Sequence, residues 1–203
     1  MMIHHGLWFT LCVMVMLCVT GMVEGEAKKT CAPWAPEFSS SFWSTEGNSG
    51  NHSPGMLYYT WNKETKAVRV DHGAEAHECI KFYGTSSPCT EFFVEDGMII
   101  SIPSSNTCCL SVPGVGPNPP DWTTALNYTG HTTVDGIKVD TWVDGLHKYW
   151  NQAPPNAAVP MLFTFPNSTQ DYHFIPSSYT TVVDPSVFTL PSSSCHTPCP
   201  PSP

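Results

Sequence analysis

Residues 126–143, LNYTGHTTVDGIKVDTWV, have the pattern of a β-hairpin, and this segment decides the fold class. Two runs rich in β-branched and aromatic residues flank Asp135-Gly136, a pair that suits the central positions of a type I′ turn. Because side chains alternate along a strand, one face of the second run carries Ile137, Val139, Thr141 and Val143. The segment therefore predicts two antiparallel strands joined by a tight turn.

Two further hairpins precede this one. MLYYTW (56–61) and KAVRV (66–70) flank the turn-forming NKET, while EFFV (91–94) and MIISI (98–102) flank EDG, in which Gly97 can adopt a positive φ. Other β-like runs are HKYW (147–150), VPMLFTF (159–165), DYHFI (171–175) and YTTVV (179–183). Helical periodicity is nearly absent, and the best candidates are TTAL (123–126) and DPSVF (184–188). Roughly eight to eleven short strands predict one antiparallel sheet that must curl or fold over to bury a face.

The N-terminal segment predicts export. Residues 7–19, LWFTLCVMVMLCV, are apolar and are followed by TGMVEGEAKK, where Gly25 and Ala27 suit a signal peptidase. The run is shorter than the ~20 residues that span a bilayer. We expect a cleaved signal peptide over residues 1–27, a single β domain over residues 28–199, a proline-rich tail over residues 200–203, and an extracellular, secreted protein.

The cysteines and the glycosylation sequons agree with an extracellular location. Of nine cysteines in the chain, two lie in the predicted signal peptide, and the remaining ones are Cys31, Cys79, Cys89, Cys108, Cys109, Cys195 and Cys199. In an exported protein they predict disulfides, and an odd number leaves one free or intermolecular. The vicinal Cys108 and Cys109 should reach different partners, because a ring between them would be strained. N-x-S/T sequons at Asn51, Asn127 and Asn167 predict a glycoprotein, Asn51 being the weakest because Pro54 follows Ser53.

The charge of the chain and its motifs argue against three classes of function: nucleic-acid binding, catalysis and transition-metal binding. The chain has a formal charge of -9 with only eight Lys and Arg, which disfavours nucleic-acid binding. GNSGN (47–51) is not a nucleophile elbow, and no catalytic constellation is present, so we expect no enzyme. HGAEAHEC (72–79) gathers His72, Glu75, His77 and Cys79 but lacks the H-E-x-x-H spacing, which favours a structural role over a zinc or copper site.

The C-terminal DPSVFTLPSSSC (184–195) predicts a clasp. Val187, Phe188 and Leu190 lie between two prolines, so the segment can run extended, place apolar side chains against the sheet and be fixed by Cys195. This segment, VRVDHGAEAHEC (68–79) and FFVEDGMIISIPSSNTCC (92–109) together resemble the ependymin-related proteins, a family of secreted, disulfide-bonded glycoproteins. The resemblance implies a strongly curved antiparallel sheet, a half barrel similar to the periplasmic lipoprotein carriers, with one or two short helices closing an apolar pocket.

The resemblance also implies a pairing of the cysteines. Cys79 would bond Cys199, and either Cys108 or Cys109 would bond Cys195. The remaining vicinal cysteine and Cys89 are extra to the family pattern and would bond each other. Cys31 would be left unpaired or would bridge two chains, because its usual partner is missing from the loop that reads APPNAAVP (153–160).

Two functions follow as expectations. In the first, the protein binds a lipid or another hydrophobic molecule in a cavity of several hundred Å³ lined by Tyr58, Ile100, Trp142 and Phe163. In the second, it is a structural or adhesive glycoprotein that acts on the extracellular matrix through its surface and calcium. The resemblance implies calcium association and a homodimer. No cofactor is required, and a weak calcium site, with an affinity of about 0.1 to 1 mM, would use Asp135, Asp140 and Asp144.

Overall fold

The structure is a computed structural model that describes residues 29–46, 52–145, 147–164 and 170–200. The predicted signal peptide, the sequons at Asn51 and Asn167, and the final residues of the predicted tail lie outside the described residues. Asn127 is described, and its side chain is exposed.

Eleven strands form one open antiparallel sheet in the order β6-β5-β4-β3-β2-β1-β11-β10-β9-β8-β7. Consecutive strands pair as hairpin neighbours within each half, and the pairing of β1 with β11 joins the two halves. The strands are β1 Glu37–Glu46, β2 His52–Trp61, β3 Lys66–His72, β4 Cys89–Val94, β5 Gly97–Ile102, β6 Thr107–Pro113, β7 Asn127–Val134, β8 Ile137–Val143, β9 Lys148–Gln152, β10 Pro160–Thr164 and β11 Gln170–Phe174.

The prediction of a mostly β chain with a single antiparallel sheet is confirmed. Asp135 and Gly136 both have positive φ, 51° and 78°, as a type I′ turn requires. Two strands were not predicted, β1 and β6. The predicted strand at 179–183 is wrong: only Thr180 pairs there, through an isolated bridge to Ser39.

The sheet is strongly curved. Phe93 on β4 and Phe163 on β10 lie five strand spacings apart in the sheet order, which would separate them by about 24 Å in a flat sheet. Both side chains nevertheless line one cavity of about 230 Å³. The two halves therefore curl toward each other around a concave face.

Short helices connect the strands. One α-helix, α1 His77–Tyr83, starts after Ala76 and ends at Gly84, whose left-handed φ of 66° caps it. The sequence did not predict α1, because seven residues are too few to show a helical period. The predicted helices TTAL and DPSVF fall at the 3₁₀ helices Pro120–Ala125 and Pro185–Phe188.

The two faces of the sheet bury different groups. A cluster on the concave face joins β1, β2, β3 and β11, and contains Phe38, Phe42, Leu57, Tyr59, Val70, Tyr172 and Phe174. On the convex face Phe92 and Ile99 pack with Cys195 and Leu190 of the C-terminal segment. Arg69 Nη1 also donates to the Val187 carbonyl oxygen at 2.8 Å. The predicted clasp therefore lies on the face opposite the cavity.

Three disulfides connect residues in the described part of the chain, and they correct the predicted pairing. Cys79 bonds Cys89 rather than Cys199, because α1 places Cys79 beside the first residue of β4. The predicted bond between a vicinal cysteine and Cys89 is wrong for the same reason. The other pairs are Cys108–Cys195, as one alternative predicted, and Cys109–Cys199, while Cys31 is a buried free thiol.

The vicinal cysteines hold the C-terminal segment across the edge strand β6. Cys109 belongs to a concave-face cluster with Cys79 and Ile100, whereas Cys108 packs against the convex-face cluster. Between the two bonds the segment runs beside β6: the Leu110 amide donates to the Thr197 oxygen at 2.7 Å, and the Cys199 amide donates to the Leu110 oxygen at 3.0 Å. The segment thus covers the edge of the sheet.

Candidate functional site

A cavity of about 230 Å³ lies on the concave face of the sheet. Its walls are largely aromatic and aliphatic, because alternate residues of β1 to β4, β10 and β11 point inward. The strands contribute Phe42, Leu57, Val68, Val70, Phe93, Phe163, Tyr172 and Phe174. The cavity lies within the expected concave face, and its volume is somewhat below the 300 to 1,000 Å³ or so of typical ligand pockets.

Two segments outside the sheet form the cover of the cavity. Trp34 precedes β1, and Trp122 belongs to the 3₁₀ helix between β6 and β7. Their rings meet edge to face with centroids 5.4 Å apart, and the Trp34 amide donates to the Pro120 oxygen at 2.9 Å. Trp34 Nε1 also donates to the Tyr149 hydroxyl at 3.0 Å. The cover is therefore fixed to the sheet by hydrogen bonds as well as by aromatic packing.

A buried polar cluster forms one wall. His72 on β3 is 3% exposed and lies between two glutamates: its Nε2 is 3.4 Å from Glu91 Oε2, and its Nδ1 is 3.6 Å from Glu78 Oε2. The Tyr83 hydroxyl donates to Glu91 Oε1 at 3.0 Å, and the Tyr172 hydroxyl donates to Glu78 Oε1. The cluster links α1, β3, β4 and β11, and Glu91 and Tyr172 reach the cavity.

The protonation of this cluster follows from its neighbours. Burial lowers the pKa of His72, but the hydrogen bond and charge of Glu91, with the charge of Glu78, outweigh burial and raise it above its ordinary value. Burial beside these carboxylates raises the pKa of Tyr83 and Tyr172, so both phenols remain donors. Two carboxyl side chains face this one imidazole, so the formal charge of the wall is negative.

The predicted cavity lining was right for one residue of four. Phe163 lines the cavity. Tyr58 faces the convex side, where its ring lies 5.6 Å from the Arg69 guanidinium, because it alternates with the inward Leu57 and Tyr59. Ile100 packs in the cluster of Cys79, Cys89 and Cys109. Trp142 packs against Cys31, Leu126 and Tyr149. Ile100 and Trp142 do lie on the concave side of the sheet, as expected. Each is buried by its own neighbours outside the cavity.

The predicted calcium site is not assembled. Asp140 and Asp144 lie four residues apart along extended chain, about 13 Å, too far for common ligation. Asp140 instead pairs with Lys29 at 2.7 Å, Asp144 pairs with His147 at 2.9 Å, and Asp135 occupies the hairpin turn. Within the described ranges no group of three His, Cys, Asp or Glu residues could hold a metal ion.

Sequence reasoning missed the polar wall. Glu91 shares its strand face with Phe93, so alternation alone indicates an inward carboxylate on β4. Alternation likewise places Tyr172 on the same face of β11 as Phe174. Glu78 carries no such signal, because its approach depends on α1 folding over the sheet. His72 was noted as a candidate metal ligand, and the structure gives it two carboxylate neighbours instead.

Comparisons with known proteins add no family and no function to the fold described above. The sequence matches no protein-family model and no curated protein. A chain from the crystal structure of MucB in complex with MucA(peri) is similar in structure, with a TM-score of 0.40 and 11% identity, over 79% of this chain and 56% of that one. This chain thus spans little more than half the length of that neighbour.

In the described part of the chain, no helix is both long enough and apolar enough to cross a membrane.

Proposed function

We propose that the protein is a secreted, disulfide-bonded glycoprotein that binds a small hydrophobic molecule in the concave-face cavity. The observation that carries the proposal is the cavity itself, an aromatic and aliphatic chamber between the curved sheet and the cover formed by Trp34 and Trp122. Pockets for small molecules have this character: apolar walls with a few polar groups that orient the ligand. Binding of this kind needs no cofactor and no catalytic step.

We also propose that the protein belongs to the ependymin-related proteins. The DPSVFTLPSSSC segment supports this proposal, because it lies along the convex face and is bonded to β6 through Cys195. The Cys79–Cys89 bond departs from the pairing that the resemblance implies. Among the described residues, Asn127 is the sequon asparagine that could carry a glycan, because it is exposed on β7.

The test is binding of a small neutral fluorescent probe, naphthalene, to protein secreted from animal cells, together with native mass spectrometry for a retained molecule. Phe163→Asp should weaken probe binding by about tenfold or more, because it places a charge on an apolar wall. Val182→Asp is the matched control, since Val182 is 82% exposed and lies away from the cavity.

A second variant distinguishes a loss of binding from a loss of folding. Val68→Phe keeps the wall apolar but fills part of the cavity, so it should weaken binding without loss of secretion. If neither the wild type nor the control binds the probe or retains a molecule, the proposal is wrong, and a structural or adhesive glycoprotein acting through its surface takes its place.

A further inference from the structure

We infer that the cavity selects a small apolar amine, with its ammonium group against Glu91, over a carboxylic acid with the same hydrocarbon part. This inference rests on the proposed binding function and specifies its ligand class. It follows from the size of the cavity, the sign of its formal charge and the acceptor capacity that remains on Glu91.

The size excludes bulky lipids. An engineered apolar cavity of about 150 Å³ accommodates benzene. At about 230 Å³ the present cavity is larger by roughly the volume of a short aliphatic chain. A single aromatic ring with a short chain therefore fits, whereas a lipid with two acyl chains does not fit within the walls.

The polar wall offers acceptors rather than donors. Glu91 has four lone-pair positions, and the structure uses one oxygen for the Tyr83 hydroxyl and the other for His72. The hydroxyl of Tyr172, which also lines the cavity, is directed to Glu78. A ligand that approaches this wall thus meets carboxylate oxygen with remaining capacity, and it needs an N–H or O–H group to use it. In the cover, Trp122 Nε1 is buried without a hydrogen-bond partner among the described residues, so the cavity also offers one neutral N–H donor, which carries no charge to balance a carboxylate.

The charge of the wall has one sign. Glu78 and Glu91 outnumber His72, and among the described residues that line the cavity there is no Lys or Arg. His147 lines it too, but Asp144 Oδ2 lies 2.9 Å from His147 Nδ1. Arg69, on the strand next to Glu91, faces the convex side and contacts Asp71 at 2.8 Å. An ammonium group therefore gains a charge-assisted hydrogen bond here, whereas a carboxylate meets like charge without a cation.

The cluster also has a structural role, which the test must separate from ligand recognition. Its contacts join α1 to β3, β4 and β11, so any change there can loosen the fold. Tyr83→Phe is the matched control, because it removes one hydrogen bond to Glu91 and leaves the carboxylate and its charge in place. Glu91→Gln keeps the shape of the side chain and removes the charge.

The experiment compares three probes that share one hydrocarbon part: 4-phenylbutylamine, 4-phenyl-1-butanol and 4-phenylbutanoic acid, each titrated into the secreted protein at neutral pH by calorimetry. We expect the amine to bind about tenfold or more tightly than the acid, with the alcohol between them. Glu91→Gln should weaken amine binding by about tenfold and change alcohol binding by less than about twofold, while Tyr83→Phe should preserve the order of the three.

The outcomes are distinguishable. The order of the three probes on the wild type decides the inference even if Glu91→Gln is not secreted. Acid binding equal to or tighter than amine binding overturns the inference and leaves the proposed function standing. Amine binding that survives Val68→Phe would indicate attraction to the acidic surface, which also overturns it. If none of the three probes binds, and no molecule is retained in native mass spectrometry, the proposed function itself fails.

Discussion

Phe42 on β1 pairs with Gly55 on β2, and its ring occupies the space where a side chain at position 55 would begin. A Cβ at this glycine would lie 2.1 Å from Phe42 Cζ and 2.7 Å from the Asp71 carbonyl oxygen. Because Phe42 also lines the cavity, Gly55 determines how far its ring extends over the concave face.

Gly55→Ala should therefore destabilise the protein by about 1 to 3 kcal/mol through overpacking, measured as the free energy of unfolding in urea. Adding Phe42→Leu should restore part of this loss, since the shorter side chain lacks the ring atoms that clash, although the contact with the Asp71 oxygen remains. A double variant whose loss equals the sum of the two single losses would contradict this account.

The two disulfides of the C-terminal segment should act together. They close loops of 87 and 90 residues from neighbouring positions on β6, so either bond alone already holds the segment. Once one of these disulfides has formed, the second closes an additional loop of only a few residues. In the chain-entropy account, replacing Cys109 and Cys199 by Ala should cost about 2 kcal/mol, and removing both bonds should cost about 6 to 7 kcal/mol. Urea unfolding of the pairwise variants measures this difference, and equal, additive losses would exclude a shared role.

The stability should depend on pH through His72. Glu91 on β4, Glu78 on α1 and Asp71 on its own strand raise its pKa in the folded protein, whereas an unfolded histidine titrates near pH 6.5 or so. A proton held more tightly in the folded state stabilises that state fully below the unfolded pKa, and the contribution is lost as the pH rises through the folded pKa. The wild type should thus exceed His72→Gln in free energy of unfolding by more at about pH 6 than at about pH 9.

Urea unfolding of both proteins across this range provides the measurement. The difference between the two curves isolates His72 from other titrating groups that face it, which include the phenol of Tyr172 on β11. A difference that is constant, or that grows toward alkaline pH, would show that the neighbouring carboxylates do not hold the imidazole in its charged form.

Cys31 should be unreactive in the native protein. It is 1% exposed, and burial raises the pKa of its thiol to about 11, so only about one molecule in a thousand carries a thiolate at pH 8. Alkylation by iodoacetamide should proceed at least about a hundredfold more slowly than in urea-denatured protein. The alternative expectation for Cys31, a bridge between two chains, would require its segment to move away from Trp142, against which Cys31 packs.

A non-reducing gel tests whether Cys31 joins two chains. Because Cys31 is buried, we expect the protein to run as a monomer. A dimer that Cys31→Ser abolishes would mean that the N-terminal segment opens in solution. Mass spectrometry of the alkylated protein identifies the modified cysteine and excludes reaction at the six that form disulfides.

Local patterns explain which strands the sequence predicts. The turn at Asp135-Gly136 and the alternation in MIISI are visible within a few residues, and the structure contains both hairpins. The central strand β1 reads EFSSSFWSTE, where serines replace the usual β-branched residues on both faces. Its partner β11 lies more than a hundred residues away, so no turn marks the pairing. The strand that joins the two halves is therefore the one with the weakest sequence signal.

The candidate site depends on similar long-range relations. Strand alternation placed Phe163 on the concave face correctly, but the segments that cover Ile100 and Trp142 cannot be inferred from strand periodicity. The opposite directions of Cys108 and Cys109 follow from alternation as well. Which partner each one reaches depends on the C-terminal segment crossing β6, a contact set by tertiary structure.

The two edges of the sheet differ in a way that limits self-association. The C-terminal segment covers β6, whereas the outer side of β7 has no strand beside it in the described part of the chain. Two copies that joined strand to strand through β7 would leave no open edge, so growth would stop at a pair instead of continuing into a fibre. Breaking both bonds to β6 would free a second edge, and an otherwise finite assembly could then extend without limit.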